Sequence, residues 1–317
     1  MSSIRVGTRG SALAMAQTRT IANRIEASVG APVEIVPIET HGDVSQESLS
    51  SLGGTGVFAS ALREALVRGD CDVVVHSLKD LPTDPFPGLR LGATPKRADA
   101  RDALCARSGF TLATLPDGAR VGTGSPRRMA QLRALRPDLE IVDIRGNIDT
   151  RLGRVVEGDL DAVVLAAAGL SRLGRLDDAV TELLELSDWP TAPGQGSLAL
   201  EVRDEKQERL LGNALAAITH ATTEGTTAAE RLVLAHLEAG CAAPIGATAV
   251  VDDGLLFLTA TVYSPDGTRT VTSSHAATPD SHSAVHLVEA AHDVASRVAT
   301  DLLAGGAAEF APLKAQK

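Results

Sequence analysis

Two short segments occur twice in this chain, in the same order. VGTRGS at Val6 to Ser11 returns as VGTGS at Val121 to Ser125, and GDCDVVV at Gly69 to Val75 returns as GDLDAVV at Gly158 to Val164. Each copy joins an apolar run to a glycine-bearing edge, which is how a buried strand meets a βα turn. Duplicated edges of this kind point to two similar α/β lobes, and two such lobes leave a cleft between them.

The remaining pattern fills that frame. Apolar runs alternate with helical patterns through the first two thirds, the order of a mainly parallel sheet. Strands are expected at Ile4 to Thr8, Val33 to Glu39, Asp72 to His76, Arg90 to Thr94, Arg120 to Gly122, Leu139 to Ile144, Ala162 to Leu165 and Leu198 to Val202. The clearest helices cover Ser11 to Ser28, Val57 to Arg68, Ser125 to Leu135 and Asn147 to Val156. Pro- and Gly-bearing stretches at Thr94 to Asp102 and Ala192 to Ser197 are the expected crossovers between lobes. The last third changes character. A helix from Thr222 to Glu238 precedes strands at Ile245 to Val251, Leu255 to Val262 and Thr268 to Ser274, joined by the hairpin-type turns Asp252-Asp253-Gly254 and Ser264-Pro265-Asp266-Gly267. A closing helix from about Ser281 to Leu303 is expected to cover one face. The fold class is therefore α/β: two similar mainly parallel-sheet lobes flanking a cleft, plus a smaller α+β C-terminal domain with a three-stranded antiparallel sheet. The expected boundaries are 1–97 with 198–217 for the first lobe, 98–197 for the second and 218–317 for the third domain.

Charge narrows the partners. Among 317 residues, 40 are acidic and 30 are Lys or Arg, a formal charge of −10 that opposes attraction to nucleic-acid backbones and anionic lipid. Five Phe, one Trp and one Tyr leave few platforms for stacking bases. The segment MSSIRVGTRG has no apolar leader core, and no run approaches the ~18 apolar residues of a membrane span, so neither nucleic acid nor membrane is expected as a partner and a cytoplasmic location is. Cys71, Cys105 and Cys241 cannot all pair and show no CxxC spacing, so neither a disulfide framework nor a metal site is expected.

Against that acidic background, the stretch from Arg120 to Arg154 holds eight arginines and four acids. Arg127 and Arg128 follow Ser125, an N-cap by residue type, and Pro126, so they fall at a helix start, where a cation opposes the dipole unless an anion is held there. Arg9, followed by Ser11, repeats this logic, and Arg145 follows a strand end with Arg151 near the start of the next helix. A salt-bridged helix surface would explain such a run, but arginines at three separate strand ends favour a carboxylate-binding site, where planar forks bind bidentately. His76-Ser77-Leu78-Lys79-Asp80-Leu81-Pro82 follows an apolar strand. It reads equally well as a loop with a surface ion pair or as a site whose carboxylate steadies a developing cation. Cys241 sits in the small-residue loop Gly240-Cys241-Ala242-Ala243-Pro244. An inert buried cysteine is the default there, although the small neighbours leave room for a group on sulfur.

Ordered motifs run through nearly the whole chain: GTRGSALAMAQ from Gly7, THGD from Thr40, GGTGVF from Gly53, VHSLKDLP from Val75, RDAL from Arg101, VGTGSPRRMAQL from Val121, RGNIDTRL from Arg145, AAAGLSRLG from Ala166, PGQG from Pro193 and AGCAAPIG from Ala239. Together they resemble the porphobilinogen deaminase (hydroxymethylbilane synthase) family. The resemblance implies a three-domain transferase that condenses four porphobilinogen molecules head to tail with loss of ammonia, then releases hydroxymethylbilane by hydrolysis. It implies a dipyrromethane cofactor in thioether linkage to Cys241, held also by Ser77, Lys79, Asp80, Ser125, Arg127 and Arg128. Asp80 matches the catalytic carboxylate, and Arg9, Ser11, Arg145, Arg151 and Arg172 match substrate-binding positions, with Gln17 in the first motif. A monomer acting on a small molecule, with no metal, completes the expectation.

Three departures stand out. Many relatives have Lys where this chain has Thr55, so no charged substrate contact is expected from that loop; Gly124 and Pro126 replace commoner Ser and Leu, and Ala239 and Ala242 stand where Gly and Gln are frequent. Without the resemblance, a two-lobed binding protein for a small dicarboxylate and a thiol enzyme using Cys241 are the competing readings.

Overall fold

The computed structural model describes residues 3–39, 57–240 and 243–313. The THGD motif, the Gly53 to Gly56 segment with Thr55, and Cys241 with Ala242 lie outside them. In chain order the first elements are β1 (Ile4–Arg9), α1 (Ala12–Val29), β2 (Val33–Ile38), α2 (Val57–Arg68), β3 (Val73–Ser77) and β4 (Leu89–Ala93). Next come β5 (Asp102–Ala106), β6 (Arg120–Gly122), α3 (Pro126–Leu135), β7 (Glu140–Val142), α4 (Ile148–Val156), β8 (Ala162–Ala166), α5 (Ala167–Arg172), α6 (Leu176–Ala179) and β9 (Glu182–Leu184). The chain closes with β10 (Leu198–Arg203), α7 (Arg209–Ile218), α8 (Ala221–His236), β11 (Ile245–Asp252), β12 (Leu255–Tyr263), β13 (Thr270–Ala277) and α9 (Ala284–Ala304).

These strands form three sheets. The first has the order β2-β1-β3-β10-β4 and the second β7-β6-β8-β5-β9. In both, the three strands on one side run parallel, while β10 or β5 enters antiparallel beside them. The duplicated segments are thus β1 and β6, each the middle of three parallel strands, with their neighbours β3 and β8 at the centre of the two sheets, and each sheet is mixed, with parallel and antiparallel pairs. A shared packing demand explains why both copies keep VGT. A Cβ on Gly7 would fall 2.8 Å from Cys71 Sγ, and one on Gly122 would fall 2.6 Å from Leu160 Cδ1. Cys71 and Leu160 are themselves the third residues of the two GD-containing copies.

Both sheets are covered on both faces. Alternation along β3 sends Val73 and Val75 towards Ile21 and Ile25 of α1 and Leu211 and Leu215 of α7, and Val74 towards Leu62 and Leu66 of α2. In the second sheet Val164 joins Leu132 and Trp189 on one face, while Val163 joins Leu152 and Leu170 on the other. The third sheet, β11-β12-β13, is antiparallel, and α8 and α9 supply Val233, Val294, Val298 and Leu302 to its core. Among the described residues no helix is long and apolar enough to cross a membrane.

Local chemistry sets the element ends. Ser11, Ser125 and Asn147 cap α1, α3 and α4 by accepting from the backbone N–H of Ala14, Arg128 and Thr150. β13 starts at Thr270 rather than Thr268, because the Asp266 carboxylate accepts from both the N–H and the hydroxyl of Thr268 and extends the turn. Strands β5 and β9 and helices α5, α6 and α7 are additions to the sequence reading.

Candidate active site at the carboxyl ends of the strands

The carboxyl end of β3 turns at once into a 3₁₀ turn, Leu78–Asp80. Leu78 is buried and anchors this turn, with its N–H donating to Ser197 O at 3.0 Å, whereas Asp80 is exposed. Arg9, Ser11, Gln17, His76, Ser77, Lys79 and Asp80 line one cavity of about 110 Å³. Residues expected at two strand ends and one helix cap therefore meet in one place, with Gln17 from the first motif beside them. His76 Nε2 lies 3.2 Å from Glu201 Oε2, and Glu201 is gripped by Arg63 at 2.9 Å, a buried ion pair under the cavity floor.

Lys79 is half-buried, and its ammonium donates to Gln195 Oε1 at 3.2 Å, a neutral acceptor. Burial pushes its pKa down to about 8 and the positive charge of Arg128 adds to this, although Asp80 and Asp102 oppose the shift. Gln195 in turn donates to Asp102 Oδ1 at 2.8 Å, so one amide links the ammonium to the second lobe.

In that lobe Arg127 and Arg128 do occupy the first turn of α3, and the anion that offsets them is part of the protein. Asp102, fully buried at the start of β5, accepts from Arg127 Nη2 at 2.8 Å, from Arg128 Nε and Nη2 at 3.1 and 2.6 Å, from Trp189 Nε1 at 2.8 Å and from Gln195 Nε2 at 2.8 Å. Burial alone would raise the carboxyl pKa, but Arg128 and Arg127 outweigh it and hold the group well below the usual range. Two guanidiniums on one carboxylate leave a net positive charge at this end of the sheet.

Arg145, Arg151 and Arg172 are half-buried, and among the described residues none of them forms an ion pair. Arg145 Nε is buried without a hydrogen-bond partner, Arg151 Nε donates to Gly146 O at 2.9 Å, and Arg172 Nη2 donates to Gly196 O at 2.7 Å. Burial, reinforced by Arg128 and Arg145, lowers Arg151 to about 10. Such crowding of cations is what an anionic ligand would relieve.

Residues beyond the sequence reading join the halves. Gln195 donates to Ala100 O and to Asp102 Oδ1, both at 2.8 Å, so its amide is held with the oxygen towards Lys79. Glu230 of α8, with no exposed surface, accepts from both Nη atoms of Arg97 at 2.7 and 2.9 Å and from Gly194 N at 2.8 Å. Asp102 and Gln195 stand within the RDAL and PGQG motifs, and that was the only signal for them in the sequence. Cys71 and Cys105 are buried, and burial pushes their thiols up to about 11 and about 12, as suits packing residues. Among the described residues no cluster suited to a metal ion occurs.

Known proteins share this chain's pattern over nearly its whole length. The family model described as porphobilinogen deaminase, dipyromethane cofactor binding domain, matches residues 4–210, and the model of the porphobilinogen deaminase C-terminal domain matches residues 225–304. The chain is 68% identical to a porphobilinogen deaminase of Leifsonia xyli subsp. xyli over 98% of this chain and 95% of that protein. It is 50% identical to one of Thermobifida fusca, covering 96% and 97% of the two chains, and 51% identical to one of Cutibacterium acnes, covering 99% and 98%.

Proposed function

The chain belongs to the porphobilinogen deaminase family, and from that premise we propose how its residues divide the work of joining four porphobilinogen molecules head to tail. Ammonia leaves at each addition, and hydrolysis frees the linear product, hydroxymethylbilane. The protein is accordingly a transferase. The observation that carries the residue assignment is the convergence of Arg9, Ser11, Ser77, Lys79 and Asp80 on one cavity, within reach of the Arg127 and Arg128 field.

Asp80 is the catalytic carboxylate. Exposed at the end of a short turn, it can accept from a pyrrole N–H, and its charge opposes the cation left when ammonia departs. Arg9, Ser11, Arg145, Arg151 and Arg172 bind the acetate and propionate groups of substrate and growing chain. The half-buried guanidiniums of Arg145, Arg151 and Arg172, outside any ion pair among the described residues, suit this task, since they gain a charge-assisted bond when a carboxylate arrives.

The dipyrromethane cofactor, held by thioether to Cys241, supplies the primer from which the chain grows. Ser77, Lys79, Asp80, Ser125, Arg127 and Arg128 are the residues we assign to holding it. The fit rests on chemistry in this structure. Lys79 donates to a neutral acceptor, Arg145 Nε has none, and the Arg127–Asp102–Arg128 group keeps a net positive charge, so carboxylate-bearing rings suit the site. The domain boundaries at 97/98, 197/198 and 217/218 belong to the same proposal, supported by β4 and β10 sharing the first sheet. We place the protein in the cytoplasm as a monomer.

Intact-mass spectrometry of freshly isolated protein tests the proposal. An adduct of dipyrromethane size, absent in Cys241→Ser, together with ammonia release from porphobilinogen, is expected. A bare polypeptide mass from active protein would contradict the cofactor assignment, and porphobilinogen left unconsumed would contradict the activity.

A further inference from the structure

The turn that bears Lys79 and Asp80 is held from outside its own lobe. Arg231 of α8 reaches across from the third domain, and its Nη1 donates to Leu78 O at 3.1 Å and to Leu81 O at 2.7 Å, while Nη2 donates to Pro82 O at 2.8 Å. These three carbonyls bracket Lys79-Asp80 on both sides. Leu78 O also takes the N–H of Leu81 at 3.2 Å, the bond that closes the 3₁₀ turn. A planar fork with several donors in fixed geometry is suited to this, because it locks the relative positions of three acceptors at once. A cation at the carbonyl end of the turn is also favoured by the local dipoles.

The neighbouring residue reinforces the arrangement. Glu230 accepts from Gly194 N, and the residue after Gly194, Gln195, accepts from the Lys79 ammonium. One turn of α8 therefore fixes the main chain around Asp80 through Arg231 and the acceptor of Lys79 through Glu230. We propose that Arg231 is a positioning residue for the reaction: it sets the place of the Asp80 carboxylate through the backbone of 78–82, so that this place follows the third domain. The inference rests on the assignment of Asp80 as the catalytic carboxylate.

The test uses the holoenzyme, with cofactor loading checked by intact mass. Arg231→Met is expected to lower kcat about 10- to 100-fold, the scale of a misplacement near 1 Å, with KM for porphobilinogen little changed. Added guanidinium ion is expected to restore part of kcat, which a merely structural loss would not permit. Arg297→Met removes an arginine that also binds a main-chain carbonyl, Ala276 O, but lies in the third domain away from the turn, and it is expected to leave kcat unchanged. Should the methionine variant not fold, Arg231→Lys keeps the charge without the fork, and lower kcat at unchanged KM is expected there too. Wild-type kcat in a loaded Arg231 variant, or a loss that guanidinium leaves untouched, would overturn the inference. Normal turnover in Asp80→Ala would instead overturn the Asp80 assignment, and absence of ammonia release from the wild type would overturn the family reading.

Discussion

The two lobes share a strand order but have parted company where β3 and β8 end. After β3 the chain reads Ser77-Leu78-Lys79-Asp80, and after β8 it reads Ala166-Ala167-Ala168-Gly169. The first lobe presents a carboxylate and a lysine to its cavity, whereas the second opens α5 with small side chains and gathers arginines from α3, α4 and the β7–α4 connection. Packing enforces part of this difference. A Cβ on Gly169 would fall 3.0 Å from Ile148 Cδ1 and 3.8 Å from Leu13 Cδ2 of α1, so a side chain in the place equivalent to Asp80 would press on Ile148. The duplicated frame thus supplies two similar edges with different side chains, and under the proposed assignment the one bearing Asp80 reacts while the arginine-rich one mainly grips.

The comparison breaks most readily at Asp102. Asp102→Ala leaves Arg127 and Arg128 buried without their carboxylate, which is expected to cost about 3–5 kcal/mol of folding stability, read from chemical denaturation. Because the folded-state carboxyl is held below its unfolded value, its contribution is present above the unfolded pKa and lost as pH falls through the folded one. The wild type should accordingly lose stability on acidification in a way that an Asp102→Asn variant does not. A variant as stable as the wild type would show that the second lobe's cations need no internal anion.

A smaller effect is expected from forcing the lobes to match. Gly169→Asp is predicted to destabilise the protein by about 1–3 kcal/mol through overpacking against Ile148, measurable as a lowered Tm. A neutral result would mean that the absence of a second carboxylate there has no steric cause.

The mildest test is one of pH. Lys79 loses its charge as pH rises through about 8, whereas Arg151 holds its own to about 10. Between these values the Lys79 charge fades while the Arg151 charge persists. The kcat/KM profile of the wild type should therefore fall above pH about 8, and Lys79→Arg should shift that fall upward. An unchanged inflection in the variant would assign it elsewhere.

Much of this was legible in the sequence, for definite reasons. The lobes show because Gly7 and Gly122 both admit a close side chain, and the caps show because Ser11, Ser125 and Asn147 satisfy N–H groups within their own turns. Lys79 and Asp80 show because the chain leaves the buried sheet at the carboxyl end of β3, where polar side chains reach the cavity. Pairings distant along the chain were not legible. Nothing local tells that Arg127 faces Asp102, that Arg97 faces Glu230 or that Arg231 reaches Leu78. The place of strand β5 was not legible either: Asp-Ala-Leu-Cys-Ala is strand-like around Cys105, but its antiparallel position in the sheet is decided by tertiary packing.

The division between reacting and gripping edges is tested most directly by steady-state kinetics of Asp80→Ala and Arg151→Met, measured side by side on cofactor-loaded protein. Asp80→Ala is expected to lower kcat about 10²- to 10³-fold with KM little altered, as for loss of a group acting in the transition state. Arg151→Met is expected mainly to raise KM. The reverse pattern, with KM failing at Asp80 and kcat at Arg151, would contradict the account.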